Sequence, residues 1–281
     1  MAQAPTAIRT AVMAATGAAL ALALTACGGG SGDDAKKDGA GDAQSALKET
    51  ARKTAQQNAY RTERVRTDNK GEVRAAYAFQ RKPELAQRRT SGPAAGTTDE
   101  AITTQDALYS RNQSLPEGKW LRTDARPQGD GKPADGERQN TAQGDLPVLL
   151  GVLATAKDVA KTGDEKVGGQ SAAHYRGSVV LNELAQYQGD ALQEQPRDLY
   201  VKQRDEAGLE KVGIDVWIGE DGLAVKSQET GTGSKGEVRL TEEYSGYGAD
   251  PKIQVPAAGD VLTSEQYLQL QIEKAAGQRK R

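Results

Sequence analysis

The chain has 281 residues with 36% hydrophobic and 4% aromatic content, including a single Phe, so the core it can build is small for its length. Its 37 basic and 39 acidic side chains are well mixed and leave a net charge of −2. This argues against a nucleic-acid partner, which requires basic charge concentrated on one face. With one cysteine and one histidine, a disulfide and a zinc site are both out of prospect.

The first stretch has the pattern of a secretory signal: Arg9, an uncharged run from Ala11 to Ala26, then small residues before Cys27. The run is shorter than the ~20 residues a membrane-spanning helix needs. Leu24-Thr25-Ala26-Cys27 resembles the lipobox of bacterial lipoproteins at all four positions. The resemblance implies that residues 1–26 are a signal peptide and that Cys27 becomes the lipid-bearing N-terminus. The membrane is then a partner through the anchor, and the protein sits on the outer face of the cell membrane. An ordinary signal peptide with a chance cysteine at its end is the competing reading.

From Gly28 to Gly41 the chain is Gly, Ser, Asp, Lys and Ala without a large apolar side chain, so residues 27–41 read as a lipid-anchored disordered tether. As a flexible coil it would span roughly 20 Å. Asp42 can cap a helix running through Ala59, whose apolar face (Ala43, Leu47, Ala51, Ala55) is thin. Tyr60 to Thr67 is β-compatible but polar. Val73, Ala75, Tyr77 and Phe79 then alternate with their neighbours as one face of a strand. Ile102 to Tyr109 and Lys119 to Thr123 read as further strands, with turn signals at Gly92-Pro93 and Pro116-Glu117-Gly118. Many short strands with turns between them favour an antiparallel sheet.

Residues 126–144 lack periodicity and read as a disordered loop. A helix over 146–162 follows, with Leu146, Leu149, Leu150, Leu153 and Ala160 on one face and Pro147 in its first turn. It is the densest aliphatic cluster after the signal segment, and suits either a core helix or the wall of a cavity. Val167 to Val180 reads as a strand pair turning at Gly168-Gly169, and 182–206 as helical, interrupted at Pro196 and stopped by Gly208. A hairpin places Ile214, Val216 and Ile218 before Glu220-Asp221-Gly222 and Leu223, Val225 and Ser227 after it. Val238 to Tyr244 is a last strand, and Ile253 to Pro256 is extended. Thr263 with Gln266 forms a capping box for a terminal helix.

The inventory for catalysis is thin. His174 is the only histidine, strand alternation turns it to solvent or a neighbouring strand, and no Gly-x-Ser-x-Gly elbow accompanies it. Gly231-Thr232-Gly233-Ser234-Lys235-Gly236 matches the dinucleotide fingerprint, but a strand pattern follows it rather than a helix, so it reads as a hairpin loop. The expectation is a protein that is not an enzyme and carries no cofactor.

The order of elements resembles a family. An alanine-rich helix leads into strands, and Asp145-Leu146-Pro147 opens a leucine helix after a long loop. Gly169-Gln170 then runs to His174-Tyr175-Arg176-Gly177, followed by Val216-Trp217-Ile218 and the close from Tyr247 to Pro256. This resembles the LppX/LprG lipoprotein family, related in fold to the periplasmic carrier LolA. The resemblance implies an α+β fold over 42–281: a strongly curved antiparallel sheet forming a half-open barrel, with helices packed on its concave side. It also implies an apolar cavity for a lipid or glycolipid, whose expected lining is Val73, Tyr77, Phe79, Leu149, Leu153 and Ile218. The chain departs from the pattern in its sparse large apolar residues. A second expectation therefore stands beside carriage: an interaction or sensor lipoprotein with a collapsed cavity, meeting a protein partner that the sequence does not name.

Overall fold

The extended segments between Ala59 and Ser245 pair into one sheet. The computed structural model describes residues 34–91, 99–124, 127–128, 132–133 and 146–278. Six strands form a first meander: β1 (Ala59–Asp68), β2 (Gly71–Gln80), β3 (Leu85–Ser91), β4 (Asp99–Thr103), β5 (Ala107–Arg111) and β6 (Trp120–Asp124). After a two-stranded piece, β7 (Pro127–Gln128) with β8 (Lys132–Pro133), five more form a second. These are β9 (Ala160–Val167), β10 (Gln170–Val180), β11 (Lys211–Gly219), β12 (Ala224–Gly233) and β13 (Gly236–Ser245). The meanders join where β1 pairs antiparallel with β13. The result is an α+β fold with a 12-stranded sheet, antiparallel except where β14 (Val261–Leu262) runs parallel to β6.

Five α-helices accompany the sheet among the described residues: α1 (Asp34–Ala55), α2 (Leu146–Thr155), α3 (Leu181–Leu184), α4 (Glu194–Glu206) and α5 (Ser264–Gln278). The main core lies where α1 and α2 meet β11. Leu47, Leu149, Leu150, Val152 and Leu153 pack with Val212, Ile214 and Val216, all at 2% exposure or less. Burying each such side chain contributes about 1.5–3 kcal/mol. Tyr60, Phe79 and Ala86 form a second, smaller cluster joined by Tyr247. The expected capping box starts α5: the Thr263 amide donates to Gln266 Oε1 at 2.9 Å and the Gln266 amide to Thr263 Oγ1 at 3.2 Å. On the far side of that helix Leu268 and Ile272 are exposed.

Several boundaries differ from the expectation. α1 starts at Asp34, so its first two turns run through the segment whose composition reads as tether, and it ends at Ala55 before β1 begins at Ala59. The span Ile102 to Tyr109 is two strands. The Thr104 hydroxyl bonds the Asp106 carboxylate and accepts from the Ala107 amide, making a tight turn between them. The leucine helix stops at Thr155 instead of near Gly163. Asp158 accepts from the amide and hydroxyl of Ser178 at 2.7 and 2.6 Å, which ties the chain to β10 and starts β9 at Ala160. Ala160 is therefore an exposed strand residue. Pro196 sits in the first turn of α4 and interrupts nothing, because the amides of that turn have no intrahelical partner. The break in this region falls before Glu194. β3 has no counterpart in the sequence reading, since Leu85 is its only large apolar residue. Gly168 and Gly169 do make the β9–β10 turn, with φ of +57° and +85°.

Candidate functional site

Cross-strand register assembles a polar array on the helix-bearing face of the sheet. On β1, Thr62, Arg64 and Arg66 point to one face, opposite Tyr77, Ala75 and Val73 of β2. Arg88 of β3 stands across from Tyr77. On the other side, Glu242 and Leu240 of β13 face Arg64 and Arg66, and Ser227 and Glu229 of β12 continue the rows. Ile214 and Val216 of β11 continue these same rows, so the array shares a face with the main core.

α4 lies along this array and sends Tyr200 and Arg204 onto Glu229. The Tyr200 hydroxyl donates to Glu229 Oε2 at 2.7 Å, and Arg204 Nη2 donates to both carboxylate oxygens at 2.7 and 2.9 Å. Arg64 Nε donates to Glu242 Oε1 at 2.7 Å, and Arg64 Nη1 reaches the Tyr77 hydroxyl at 3.2 Å. Glu242 also accepts from the Tyr244 hydroxyl at 2.8 Å, and Ser227 Oγ lies 2.8 Å from that hydroxyl. Both carboxylates are buried, and each is compensated by a guanidinium and a phenol. Burial, with the neighbouring carboxylate next in weight, holds the Tyr200 and Tyr244 phenols well above the ordinary tyrosine range.

Between α4 and the sheet this leaves a groove of about 380 Å³. Arg64, Arg66, Tyr77, Arg88 and Arg204 supply its polar wall, while Leu209, Val212, Val238 and Leu240 supply aliphatic surface. The volume is at the lower end for small-molecule sites, about 300–1,000 Å³. Mixed lining of this kind suits an amphiphilic guest.

The six residues expected to line one cavity occupy three places. Tyr77 lines the groove, and Val73 lies on the same face of β2, half-buried. Phe79 belongs to the small cluster with Tyr60. Leu149, Leu153 and Ile218 are packed in the main core between α2 and β11. Cys27 lies outside the described residues. The groove arginines were not singled out from the sequence. The available signal was the polar alternation Thr62, Arg64, Arg66, which has strand periodicity but no apolar face to announce it.

His174 turns to neighbouring strands and not to solvent. It is buried on the opposite sheet face, with Nδ1 2.7 Å from Glu165 and Nε2 2.7 Å from Asp215. The Gly231–Gly236 stretch is a hairpin connection, with Gly233 paired to Gly236. Among the described residues, no helix is long and apolar enough to cross a membrane.

No protein-family model matches the chain. A stretch of 116 residues is 32% identical to an uncharacterized 31.2 kDa protein of Streptomyces griseus from the rplA–rplJ intergenic region, covering 41% of this chain and 38% of that protein. The chain thus matches little more than a third of that relative's length. Among solved structures it is similar to LprF from Mycobacterium bovis, with 15% identity, a TM-score of 0.48, and coverage of 78% of this chain and 98% of that one. It is similar to the lipoprotein LppX of Mycobacterium tuberculosis, with 13% identity, a TM-score of 0.47, and coverage of 76% and 99%. A LolA-superfamily protein from Nitrosomonas europaea follows with 12% identity, a TM-score of 0.28, and coverage of 75% and 94%. Two of these neighbours, LppX and the LolA-superfamily protein, carry names that the motif order also suggests.

Proposed function

We propose that this is a lipid-anchored extracytoplasmic protein, held at the outer face of the cell membrane through Cys27, whose folded part takes up an apolar, lipid-like ligand between sheet and helices. The observation that carries the reading is the groove under α4, where Leu209, Val212, Val238 and Leu240 offer aliphatic surface beside a polar wall. Each methylene placed against such surface is worth about 0.8 kcal/mol, so acyl chains bind without catalytic groups. A strongly curved, half-open form of the sheet belongs to this reading. Two or more acyl chains on Cys27 would make the attachment durable, so the protein would load, hold or hand over its ligand within reach of the anchor.

Native mass spectrometry of the full-length chain, extracted from membranes in mild detergent and then exposed to lipid vesicles, tests the proposal. The expected result is a noncovalently bound acyl-bearing species. A chain that stays empty after exposure overturns carriage. It would favour the second reading, an interaction or sensor lipoprotein without ligand, which the solid packing of Leu149, Leu153 and Ile218 supports.

A further inference from the structure

The groove has one charge left over. Around it, Glu242 neutralises Arg64, Glu229 neutralises Arg204, and Asp68 lies 3.1 Å from Arg66. Arg88 has no such counterpart among the described residues, and its Nε is buried without a hydrogen-bond partner. That Nε is shut off from solvent, so an acceptor entering the groove meets the guanidinium at its other nitrogens, which carry a charge that no carboxylate among the described residues offsets. The one groove carboxylate outside these pairs, Glu206, stands exposed at the end of α4.

The groups beside Arg88 suit an oxyanion. Tyr77 stands directly across the strand pair and lines the same groove, and its hydroxyl oxygen accepts from Arg64, leaving its own proton free to donate. Arg64 stacks over the Tyr77 ring at 4.7 Å, which holds both side chains in place. Guanidinium and phenol donors converge on one wall, and arginine's planar fork matches the paired oxygens of phosphate, sulfate or carboxylate. The aliphatic surface of Leu209, Val212, Val238 and Leu240 lies in the same groove.

We propose that the groove is selective for an acidic ligand, whose oxyanion is bound by Arg88 and Tyr77 while its apolar part lies along Leu209, Val238 and Leu240. This rests on the apolar-ligand reading above and adds the headgroup chemistry to it. The volume of about 380 Å³ fits a headgroup and the start of its chains better than a whole lipid.

The test compares dioleoyl phosphatidic acid with dioleoylglycerol, which differ only in the phosphate, by native mass-spectrometric titration of the full-length chain. Inorganic phosphate is titrated separately. The wild type is expected to bind the phosphatidic acid tenfold to a hundredfold more tightly, as roughly one charged hydrogen-bonded contact gives. Arg88→Gln should abolish the preference, and Arg88→Lys should keep part of it, with the melting temperatures of both variants near wild type. Equal binding of the two lipids overturns the acidic selectivity and leaves the apolar-ligand reading standing. A preference that survives in Arg88→Gln overturns the assignment to Arg88. Binding of phosphate alone, lost in Arg88→Gln, supports the oxyanion site with a free anion as its source and overturns the apolar-ligand reading. Binding of none of the three overturns both.

Discussion

His174 lies flat against Trp217, with ring centroids 4.3 Å apart and planes 12° from parallel, on the sheet face opposite the groove. Both rings are tied to one carboxylate, since Trp217 Nε1 donates to Glu165 at 2.9 Å and His174 Nδ1 lies 2.7 Å from it. Asp215, buried beneath them, holds His174 Nε2 and accepts from Arg176 Nε at 2.6 Å. The cluster therefore spans β9, β10 and β11 and clamps the end of the sheet. Replacing His174 with Ala removes a stacked ring and the 2.7 Å contacts of both ring nitrogens with carboxylates. A loss of about 2–4 kcal/mol is expected in urea unfolding. A loss below about 0.5 kcal/mol would show that the clamp is not structural.

Acid should weaken the fold from a definite side. Glu100 is pulled below the ordinary glutamate value even though burial, its largest influence, pushes the other way. Hydrogen bonds from Arg89, Gln87 and Arg111 prevail. Asp158 is lowered in the same manner, with burial outweighed by the Ser178 hydroxyl and amide. Glu165 is lowered by Trp217 and then His174. Groups with depressed folded values contribute stability that is complete above their unfolded values, 4.5 for Glu and 3.8 for Asp, and is lost as pH falls through the folded ones. Stability measured by urea unfolding is thus expected to be flat just above pH 5 and to fall below about 4.5. Glu100→Gln should cost about 1 kcal/mol at neutral pH and make the acid fall shallower, because Arg89 and Arg111 are half-exposed and regain water.

The core under α2 should tolerate neither loss nor gain of volume. Leu153 is fully buried, and Leu153→Ala is expected to cost about 2–5 kcal/mol through the cavity it leaves. At Gly151 a Cβ would stand 2.6 Å from the Ala191 carbonyl oxygen and 3.2 Å from Leu192 Cδ1. Backbone cannot yield as a side-chain end does, so Gly151→Ala should cost about 1–3 kcal/mol despite alanine's better helix propensity. An unchanged or higher melting temperature for Gly151→Ala would mean that α2 moves freely against the connection before α4.

One substitution should stabilise. Thr54 in α1 is buried and its Oγ1 has no hydrogen-bond partner. Thr54→Val keeps the shape and removes an unsatisfied polar atom, for an expected gain of about 1 kcal/mol in urea unfolding. A destabilised variant would mean that the hydroxyl has a role there.

Sequence reading worked wherever a local rule was enough. The β2 face carrying Val73, Tyr77 and Phe79, the β11–β12 hairpin, the Gly168-Gly169 turn and the Thr263–Gln266 capping box all depend on neighbours within a few residues. It faltered where a distant contact decides, as when Ser178 holds Asp158 and ends α2 seven residues before the expected boundary. It also missed β3, where too little apolar alternation survives to reveal a strand.

The sequence by itself determined the low apolar content, the lipobox-like segment at Cys27, and the alternation that makes this a mostly antiparallel α+β protein. These are composition and short-range periodicity, which any stretch of chain displays without its partners. Only the tertiary structure decided that Leu149, Leu153 and Ile218 fill a core while Arg64, Arg88 and Arg204 border a groove. Strands far apart in sequence bring those arginines together through the β1–β13 pairing and the packing of α4. A guanidinium's role is set by which carboxylates end up beside it, and no spacing along the chain encodes that.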